Sequence, residues 1–151
     1  MDAPNEEVSE RWERKRWADF KDNLTRVSQS NKFQQNHFPK IQSFAKWDSF
    51  DDFIKACPFT EKQDLVRDRE EHPAHGTNLT FPISEYKKFN QTSGTQGEPM
   101  AWLDTMDDWR WMLGNWDRVL EVAGVQPSAR CFFAFSFGPF LGFWTAYEAA
   151  T

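Results

Sequence analysis

Hydrophobic residues recur at helical spacing through residues 8–27, and charged side chains occupy most of the positions between them. The apolar series is Val8, Trp12, Trp17, Phe20, Leu24 and Val27. A series with this period predicts an amphipathic helix, because side chains three or four positions apart share one helix face. We treat residues 1–30 as a separate amino-terminal segment that consists of this helix.

The next stretch predicts short elements. Residues 31–47 carry aromatic and aliphatic side chains without a clean period, and Pro39 excludes one continuous helix, so we expect a short helix and a loop. Ser49 and Thr60 each stand three residues before an Asp or Gln that can close a capping box. They predict two short helices, one over residues 50–56 and one with Thr60 as its N-cap.

A strand, a glycine-rich connector and a return strand are predicted next. Residues 86–91 favour a short strand, residues 100–103 favour its return, and a polar connector over residues 92–99 joins the two. Thr105 caps a long helix whose apolar period continues until Gly124 ends it.

The last part of the chain predicts a buried strand and a final helix. Residues 130–135 form an apolar run typical of a strand buried on both faces. In the helix that follows, no Gly, Pro or cationic residue between Tyr147 and Thr151 marks an end. One side of this helix is aromatic: Phe140, Phe143, Trp144 and Tyr147. A parallel sheet begun here needs neighbouring strands. We therefore expect an α/β fold, with helices and an incomplete mixed sheet, in a chain truncated at its carboxyl terminus.

Composition narrows the classes of partner. Aromatic residues make up 17% of the chain, so a disordered chain is excluded. The formal net charge of −5 leaves no broad basic face for a phosphate backbone, which excludes nucleic acid as the expected partner. The charged start has no apolar run like a signal peptide, and the longest apolar-rich stretch, residues 131–147, is interrupted by Gly and Pro. We expect a cytoplasmic protein without a membrane segment.

The cysteines and histidines predict no metal site. Cys57 and Cys131 lack the paired spacing of a zinc site or a disulfide framework, and they suggest ordinary buried thiols. His72 and His75 are close enough in sequence to share a metal, but no third and fourth ligand stands near them.

The connector over residues 92–99 has the composition of an anion-binding loop. Gly94 and Gly97 allow the backbone to adopt positive φ angles and to approach a ligand closely, so that several N–H groups can face phosphate oxygens. Thr92, Ser93 and Thr95 add hydroxyl donors. The loop has no Gly-Lys-Ser/Thr ending and no helix directly after it, which excludes a P-loop NTPase and a dinucleotide fingerprint. A flexible polar hairpin remains the alternative.

Three segments in order resemble known sequence signatures. Residues 92–99, TSGTQGEP, resemble the phosphate-binding signature of the adenylate-forming superfamily, a Ser/Thr-Gly-Thr-Thr-Gly-x-Pro core, with Gln96 in place of the second Thr. Residues 58–65, PFTEKQDL, resemble the PFTxKxDL segment of the phenylacetate–CoA ligases. Residues 135–140, FSFGPF, are similar to the aromatic-Gly-aromatic-Gly-Leu-Phe stretch that lines the acyl pocket of that family. The resemblance extends from about residue 31 to the end.

The resemblance implies an activity and a set of site residues. In this family ATP and a carboxylic acid give an acyl-adenylate and pyrophosphate, and CoA then displaces AMP; Mg²⁺ assists. Residues 31–151 would be an incomplete AMP-binding domain. The implied ATP phosphate contacts are Thr92, Ser93, Gly94, Thr95, Gln96 and Gly97. The implied walls of the acyl pocket are Phe135, Phe137, Gly138 and Phe140.

Departures from the family limit what the resemblance implies. The family often has tyrosines where this chain has Phe135 and Phe137, which favours a more apolar acid. The acidic residue for magnesium, the ribose aspartate and the carboxy-terminal domain with its lysine are missing, so no catalytic residue is named. We expect the amino-terminal part of a ligase, inactive by itself. The alternatives are a non-catalytic nucleotide-binding or partner-binding remnant and one half of a split ligase. A homodimer remains open, and an interaction domain that matches by chance is the least favoured reading.

Overall fold

The computed structural model describes residues 6–92 and 99–151. Within those residues the protein is helix-rich and has one two-stranded antiparallel sheet. Contacts divide the chain into two compact units, Met1–Phe81 and Pro82–Thr151, which are described separately. The boundary that the sequence suggested at residue 30 remains a prediction. No helix in the described ranges is long and apolar enough to cross a bilayer.

The predicted amino-terminal helix is confirmed. Helix α1 spans Glu6–Ser30. Its second half packs into the first unit, where Leu24 is buried, whereas Trp12 in its first half is largely exposed. The guanidinium carbon of Arg16 lies 4.7 Å from the centroid of the Trp12 ring, so a cation–π contact covers part of that side chain.

Short helices complete the first unit: α2 (Lys32–His37), a 3₁₀ helix (Pro39–Lys46), α3 (Phe50–Ala56) and α4 (Lys62–Glu71). The short helix predicted after residue 31 is confirmed, and a 3₁₀ helix takes the place of the predicted loop. Pro39 stands in its first turn, where a missing N–H does no harm. The buried centre is formed by Leu24, Phe38 and Ile41, surrounded by Phe20, Val27, Phe44, Trp47, Phe53, Ala56 and Cys57.

The two predicted capping boxes have different outcomes. The side chain of Ser49 accepts a hydrogen bond from the backbone N–H of Asp52, which confirms the start of α3. Helix α4 begins one residue later than predicted, because Glu61 rather than Thr60 is its N-cap. The Asp64 carboxylate accepts the Glu61 backbone N–H at 2.9 Å, and the Glu61 side chain accepts the backbone N–H of Asp64. The two acidic residues therefore form the capping box at the start of α4.

The second unit contains a hairpin and two helices. Strands β1 (Tyr86–Gln91) and β2 (Ala101–Thr105) pair antiparallel, with Asn90 opposite Trp102. Helix α5 (Met106–Val122) follows directly, and helix α6 (Leu141–Ala149) packs against it. Gly124 has a φ of 72°, a conformation that suits glycine, just past the end of α5. The predicted strand, return strand and capped helix are all confirmed.

The hairpin buries its polar face. Side chains alternate between the two faces of a strand, so Lys88 and Asn90 share one face and Phe89 lies on the other. Asn90 and Asp104 are buried in the second unit, whereas Phe89 is 54% exposed. Asn90 and Asp104 can be buried here because they bond to each other, and the neighbouring Lys88 bonds to Glu148 on α6.

The strand predicted over residues 130–135 is wrong. These residues are not in regular structure, and the sheet of the described residues contains only β1 and β2. A strand needs a neighbour to satisfy its backbone groups, and among residues 6–92 and 99–151 no strand pairs with this segment. Cys131 is exposed and Cys57 is half-buried, so the expectation of two buried thiols is wrong as well. The predicted mixed sheet is therefore an antiparallel pair.

The final helix is confirmed, with a shorter span than predicted. Helix α6 ends at Ala149, and the backbone N–H of Ala150 donates to the carbonyl of Tyr147. Its aromatic side chains face the segment that leads into it.

The cap of α5 gives a stability prediction. Thr105 Oγ1 accepts the Asp108 backbone N–H at 3.2 Å, and the Asp108 carboxylate accepts the Thr105 backbone N–H at 3.0 Å. We expect Thr105→Ala to lower the free energy of unfolding by about 1 kcal/mol, measured by urea titration. Thr105→Ser, which keeps the hydroxyl, should lose much less. Equal losses in both variants would contradict a capping role.

Candidate functional site

The stem of the predicted phosphate loop is described, but the loop itself is not. The predicted phosphate contacts Ser93, Gly94, Thr95, Gln96 and Gly97 lie outside the described residues.

Thr92 closes the hairpin at the base of this loop. Its backbone N–H donates to the Met100 carbonyl at 3.0 Å, and its Oγ1 accepts the Met100 N–H at 2.9 Å. Oγ1 therefore helps to close the stem of the hairpin as an acceptor. The two ends of the glycine-rich segment are held together at this point.

The predicted acyl-pocket rings are brought together. They belong to a set that we call the aromatic cluster: Phe133, Phe135, Phe137, Phe140, Phe143, Trp144 and Tyr147. Ring centroids are 5.1 Å apart for Phe135 and Phe137, and 4.3 Å apart for the stacked pair Phe135 and Phe143. Phe140 joins through an edge contact with Phe143 at 5.7 Å. These spacings lie near or within the range of favourable aromatic pairing.

The aromatic cluster is a packed group of rings that is partly exposed to solvent. Phe137 is 44% exposed even though its ring lies 4.8 Å from Trp144. A separate apolar cavity of 210 Å³ lies between α5 and α6, and it is lined by Met112, Asn115, Trp116, Val119, Leu141 and Thr145. None of the predicted pocket residues lines that cavity.

Gly138 allows a close approach within the cluster. An added Cβ at this position would lie 2.9 Å from Cε2 of Phe140, closer than real side chains allow. The Gly138 carbonyl also accepts the indole N–H of Trp144 at 2.9 Å. The structure therefore gives Gly138 a packing role against Phe140, and its place in an acyl pocket remains a prediction.

One hydrogen bond connects the loop stem with the aromatic segment. The backbone N–H of Gln91, the residue before Thr92, donates to the carbonyl of Pro139 at 2.6 Å. Pro139 lies between Gly138 and Phe140. Within the second unit, the stem of the predicted phosphate loop and the predicted acyl-pocket segment are therefore direct neighbours.

Sequence reasoning missed an ionic contact beside this junction. Glu148 on α6 accepts a hydrogen bond from Lys88 Nζ at 2.7 Å through Oε1 and another from the Trp109 indole at 2.7 Å through Oε2. Burial by itself would raise the pKa of Glu148, but the bonds from Lys88 and Trp109 lower it below its ordinary value. Glu148 is the single charged residue of α6, and a lone charge in an apolar helix was the available signal.

A second polar contact lies inside the hairpin. Asn90 Nδ2 donates to Asp104 Oδ2 at 3.2 Å, and both residues are buried. Burial raises the pKa of Asp104 above its ordinary value; the bond from Asn90 opposes this rise, and the charge of Asp108 adds to it.

The raised pKa of Asp104 gives a pH prediction. The folded state holds the proton of Asp104 more tightly than the unfolded state, so its contribution to stability is complete below the ordinary pKa and is lost as the pH rises through the raised one. Asp104→Asn should therefore unfold at a higher temperature than wild type at neutral pH, and the gap should close in acid. Thermal unfolding across pH 3–8 tests this. The control is Asp107→Asn, because the Asp107 carboxylate is exposed. An equal rise in unfolding temperature in that variant at neutral pH would contradict the role of burial.

Histidine and acidic side chains meet in the first unit without forming a metal site. His72 Nδ1 lies 3.5 Å from Asp68 Oδ1, and His37 Nε2 lies 4.0 Å from Asp64 Oδ2. Across residues 6–92 and 99–151, no group of three or more His, Cys, Asp or Glu side chains is arranged to hold a metal ion.

Comparison with known proteins places this geometry in context. No family model and no curated protein matches the chain. A crystal structure of 2-hydroxyisobutyryl-CoA ligase with 2-HIB-AMP and CoA, in the thioesterification state, matches 86% of the chain at 28% identity and a TM-score of 0.65. The same ligase in the postadenylation state with 2-HIB-AMP matches 84% at 26% identity and a TM-score of 0.63. The chain is similar to part of an adenylate-forming CoA ligase.

The match covers much less of the ligase than of this chain. The chain spans 28–31% of the length of the ligase chains it matches. The predicted fold class, part of an adenylate-forming enzyme, is confirmed. The phenylacetate–CoA ligase branch and the individual site residues remain predictions.

Proposed function

We propose that this chain contributes the phosphate loop and the acyl pocket of an ATP-dependent, AMP-forming carboxylate–CoA ligase of the phenylacetate–CoA ligase type. The observation that carries the proposal is the similarity of this chain, at 26–28% identity, to 2-hydroxyisobutyryl-CoA ligase, whose structures contain 2-HIB-AMP and, in two states, CoA. The reaction would join an acid to AMP with release of pyrophosphate and then transfer the acyl group to CoA. We place this reaction in the cytoplasm.

The hairpin stem supports the proposed phosphate role. Two hydrogen bonds between Thr92 and Met100 hold the ends of the segment together. A short loop with fixed ends loses less conformational entropy when it closes on phosphates. The proposed phosphate contacts are Thr92, Ser93, Gly94, Thr95, Gln96 and Gly97. Catalysis at these phosphates would come mainly from positioning and from stabilisation of negative charge.

The aromatic cluster supports the proposed class of acid. The side chains of Phe135, Phe137 and Phe140 offer rings without hydroxyl groups, and Phe137 and Phe143 are partly open to solvent. An aromatic or apolar acyl group can pack on such rings, whereas a polar acyl group would lose hydrogen bonds to water there. We therefore propose an aromatic or apolar carboxylic acid such as phenylacetate.

Magnesium, which the resemblance implies, is not assigned to residues of this chain. The described residues contain no group of three or more His, Cys, Asp or Glu that could hold a metal ion. The roles proposed here for the hairpin and the aromatic cluster use only hydrogen bonds and packing. CoA is proposed as the second substrate without assigned contacts.

Acid-dependent ATP–pyrophosphate exchange tests the proposal. The test uses the native protein, purified with any polypeptide that accompanies it. We expect kcat/KM for exchange of labelled pyrophosphate into ATP to be about tenfold or more higher with phenylacetate than with 2-hydroxyisobutyrate, because only phenylacetate has a ring to bury. Equal exchange with both acids would refute the apolar pocket. ATP binding without exchange for any acid would refute ligase activity and favour a nucleotide-binding remnant.

A split ligase is the second candidate, and exposed apolar side chains fit it as well as they fit a longer single-chain ligase. Trp111 is 72% and Phe132 is 92% exposed in the second unit, and a partner polypeptide that covers them would account for this. Intact-protein mass spectrometry of the native gene product distinguishes the two. A mass of about 17.8 kDa together with a copurifying chain supports the split ligase. A mass several times larger supports a single-chain ligase.

A further inference from the structure

One carboxylate connects three elements of the second unit. The two oxygens of Glu148 on α6 bond to Lys88 on β1 and to Trp109 on α5, each at 2.7 Å. Lys88 Nζ also lies 4.4 Å from the centroid of the Trp109 ring. Each of the three side chains therefore contacts the other two, and a charged hydrogen bond of this kind is about twice as strong as a neutral one.

The elements that meet at Glu148 carry the two halves of the proposed site. Strand β1 leads from Lys88 to Thr92, where the proposed phosphate loop begins. Helix α6 carries Phe143, Trp144 and Tyr147 of the aromatic cluster. Trp109 is 1% exposed, so its position is fixed by the packing of the unit. A displacement of α6 would therefore be transmitted to β1 through a contact that is anchored on a buried ring.

Glu148 stands alone in an otherwise uncharged helix, and its side chain is only 29% exposed. By comparison, the Arg118–Glu121 pair on α5 is largely exposed and lies within one helix, so it connects nothing. An ion pair between elements far apart in sequence fixes their relative position, whereas a pair within one helix does not.

We propose that Glu148 is a positioning residue that couples the aromatic cluster to the stem of the phosphate loop, so that packing of an acyl group on the rings sets the position of Thr92. The role of this coupling in substrate binding rests on the proposed function. The coupling itself is independent of that function, because it involves only contacts among α6, α5 and β1. A change on one side should reach the other side through Glu148.

Hydrogen exchange of the ligand-free full chain tests the coupling. The perturbation is Phe143→Leu, which removes the stacked ring on Phe135, and the readout is exchange at the amides of Thr92 and Met100, which close the hairpin. In the wild-type background, Phe143→Leu should accelerate exchange at both amides about tenfold. In the Glu148→Gln background, the same substitution should add no acceleration.

A second variant, Lys88→Met, keeps the coupling testable if Glu148→Gln does not fold. Lys88→Met removes the contact with β1 and leaves the Glu148–Trp109 bond in place, and it should abolish transmission in the same way. Glu121→Gln is the matched control, because it removes an exposed ion pair of α5 and should leave transmission intact. A purely structural Glu148 would change stability without abolishing transmission.

Two results would overturn the proposal. If Phe143→Leu accelerates the two amides equally with and without Glu148, the coupling runs through the Gln91–Pro139 hydrogen bond instead. If it accelerates them in neither background, the cluster and the stem are independent. Because the experiment contains no nucleotide and no acid, it can fail while the proposed function stands, and the reverse also holds.

Discussion

Gly94→Val is expected to abolish acid-dependent ATP–pyrophosphate exchange in the active protein. A β-branched side chain restricts the backbone at a position proposed to need positive φ angles, and it fills space that the phosphates would occupy. The loss should be at least about a hundredfold, because removal of a single group that stabilises a charged transition state costs about a hundredfold to a thousandfold. Initial exchange rates at saturating ATP and acid measure the effect.

The control for Gly94→Val is a glycine whose replacement meets no obstacle. Gly114 lies in α5, and an added Cβ there has no atom within 4 Å. Gly114→Val should therefore keep most of the exchange activity. Unchanged exchange in Gly94→Val would refute the assignment of the phosphate loop, and equal losses in both variants would show that the effect is not specific to the loop.

Trp109→Ala is expected to destabilise the second unit by about 3–5 kcal/mol, the usual cost of truncating a buried aromatic side chain. Trp109 is 1% exposed, and its indole N–H donates to Glu148. The substitution leaves a cavity and also removes one of the two hydrogen bonds that hold the Glu148 carboxylate. Urea titration followed by NMR signals from β1 and α5 reads the stability of this unit alone.

Two further variants separate the contributions of Trp109. Trp109→Phe keeps a ring and removes the indole N–H, so it should lose about 1.5–3 kcal/mol of stability, the range for a hydrogen bond to a charged group. Trp111→Ala, on the same helix but 72% exposed, should change stability by no more than about 0.5 kcal/mol. A small effect of Trp109→Ala would contradict its place in the centre of the unit.

Local signals predicted several elements correctly. The period of α1, the strand over Tyr86–Gln91 and the capping box of Thr105 with Asp108 were all legible, because each depends on residues close together in the chain. The glycine that ends α5 was legible for the same reason. The predicted start of α4 was wrong by one residue, because Glu61 and Asp64 form the capping box and Thr60 does not cap the helix.

Contacts distant in sequence were not predictable in the same way. The apolar run over residues 130–135 suggested a strand, but a strand requires a partner, and the structure gives this segment aromatic contacts instead. Glu148 attracted no prediction, because its partners Lys88 and Trp109 stand 60 and 39 residues away. The face that the hairpin buries was equally hidden, since burial of Asn90 depends on the helices packed beside it.

The sequence by itself determined where most helices and the two strands lie, and its motifs pointed to an adenylate-forming ligase before any contact was known. Those features depend on local spacing, on capping and on glycine at defined positions. The tertiary structure decided which side chains meet. It places the hairpin stem beside the aromatic segment and buries Asn90 and Asp104. It also brings the Glu148 carboxylate to both Lys88 and Trp109. These pairings follow from packing, in which groups far apart in the chain must satisfy one another's hydrogen bonds away from water.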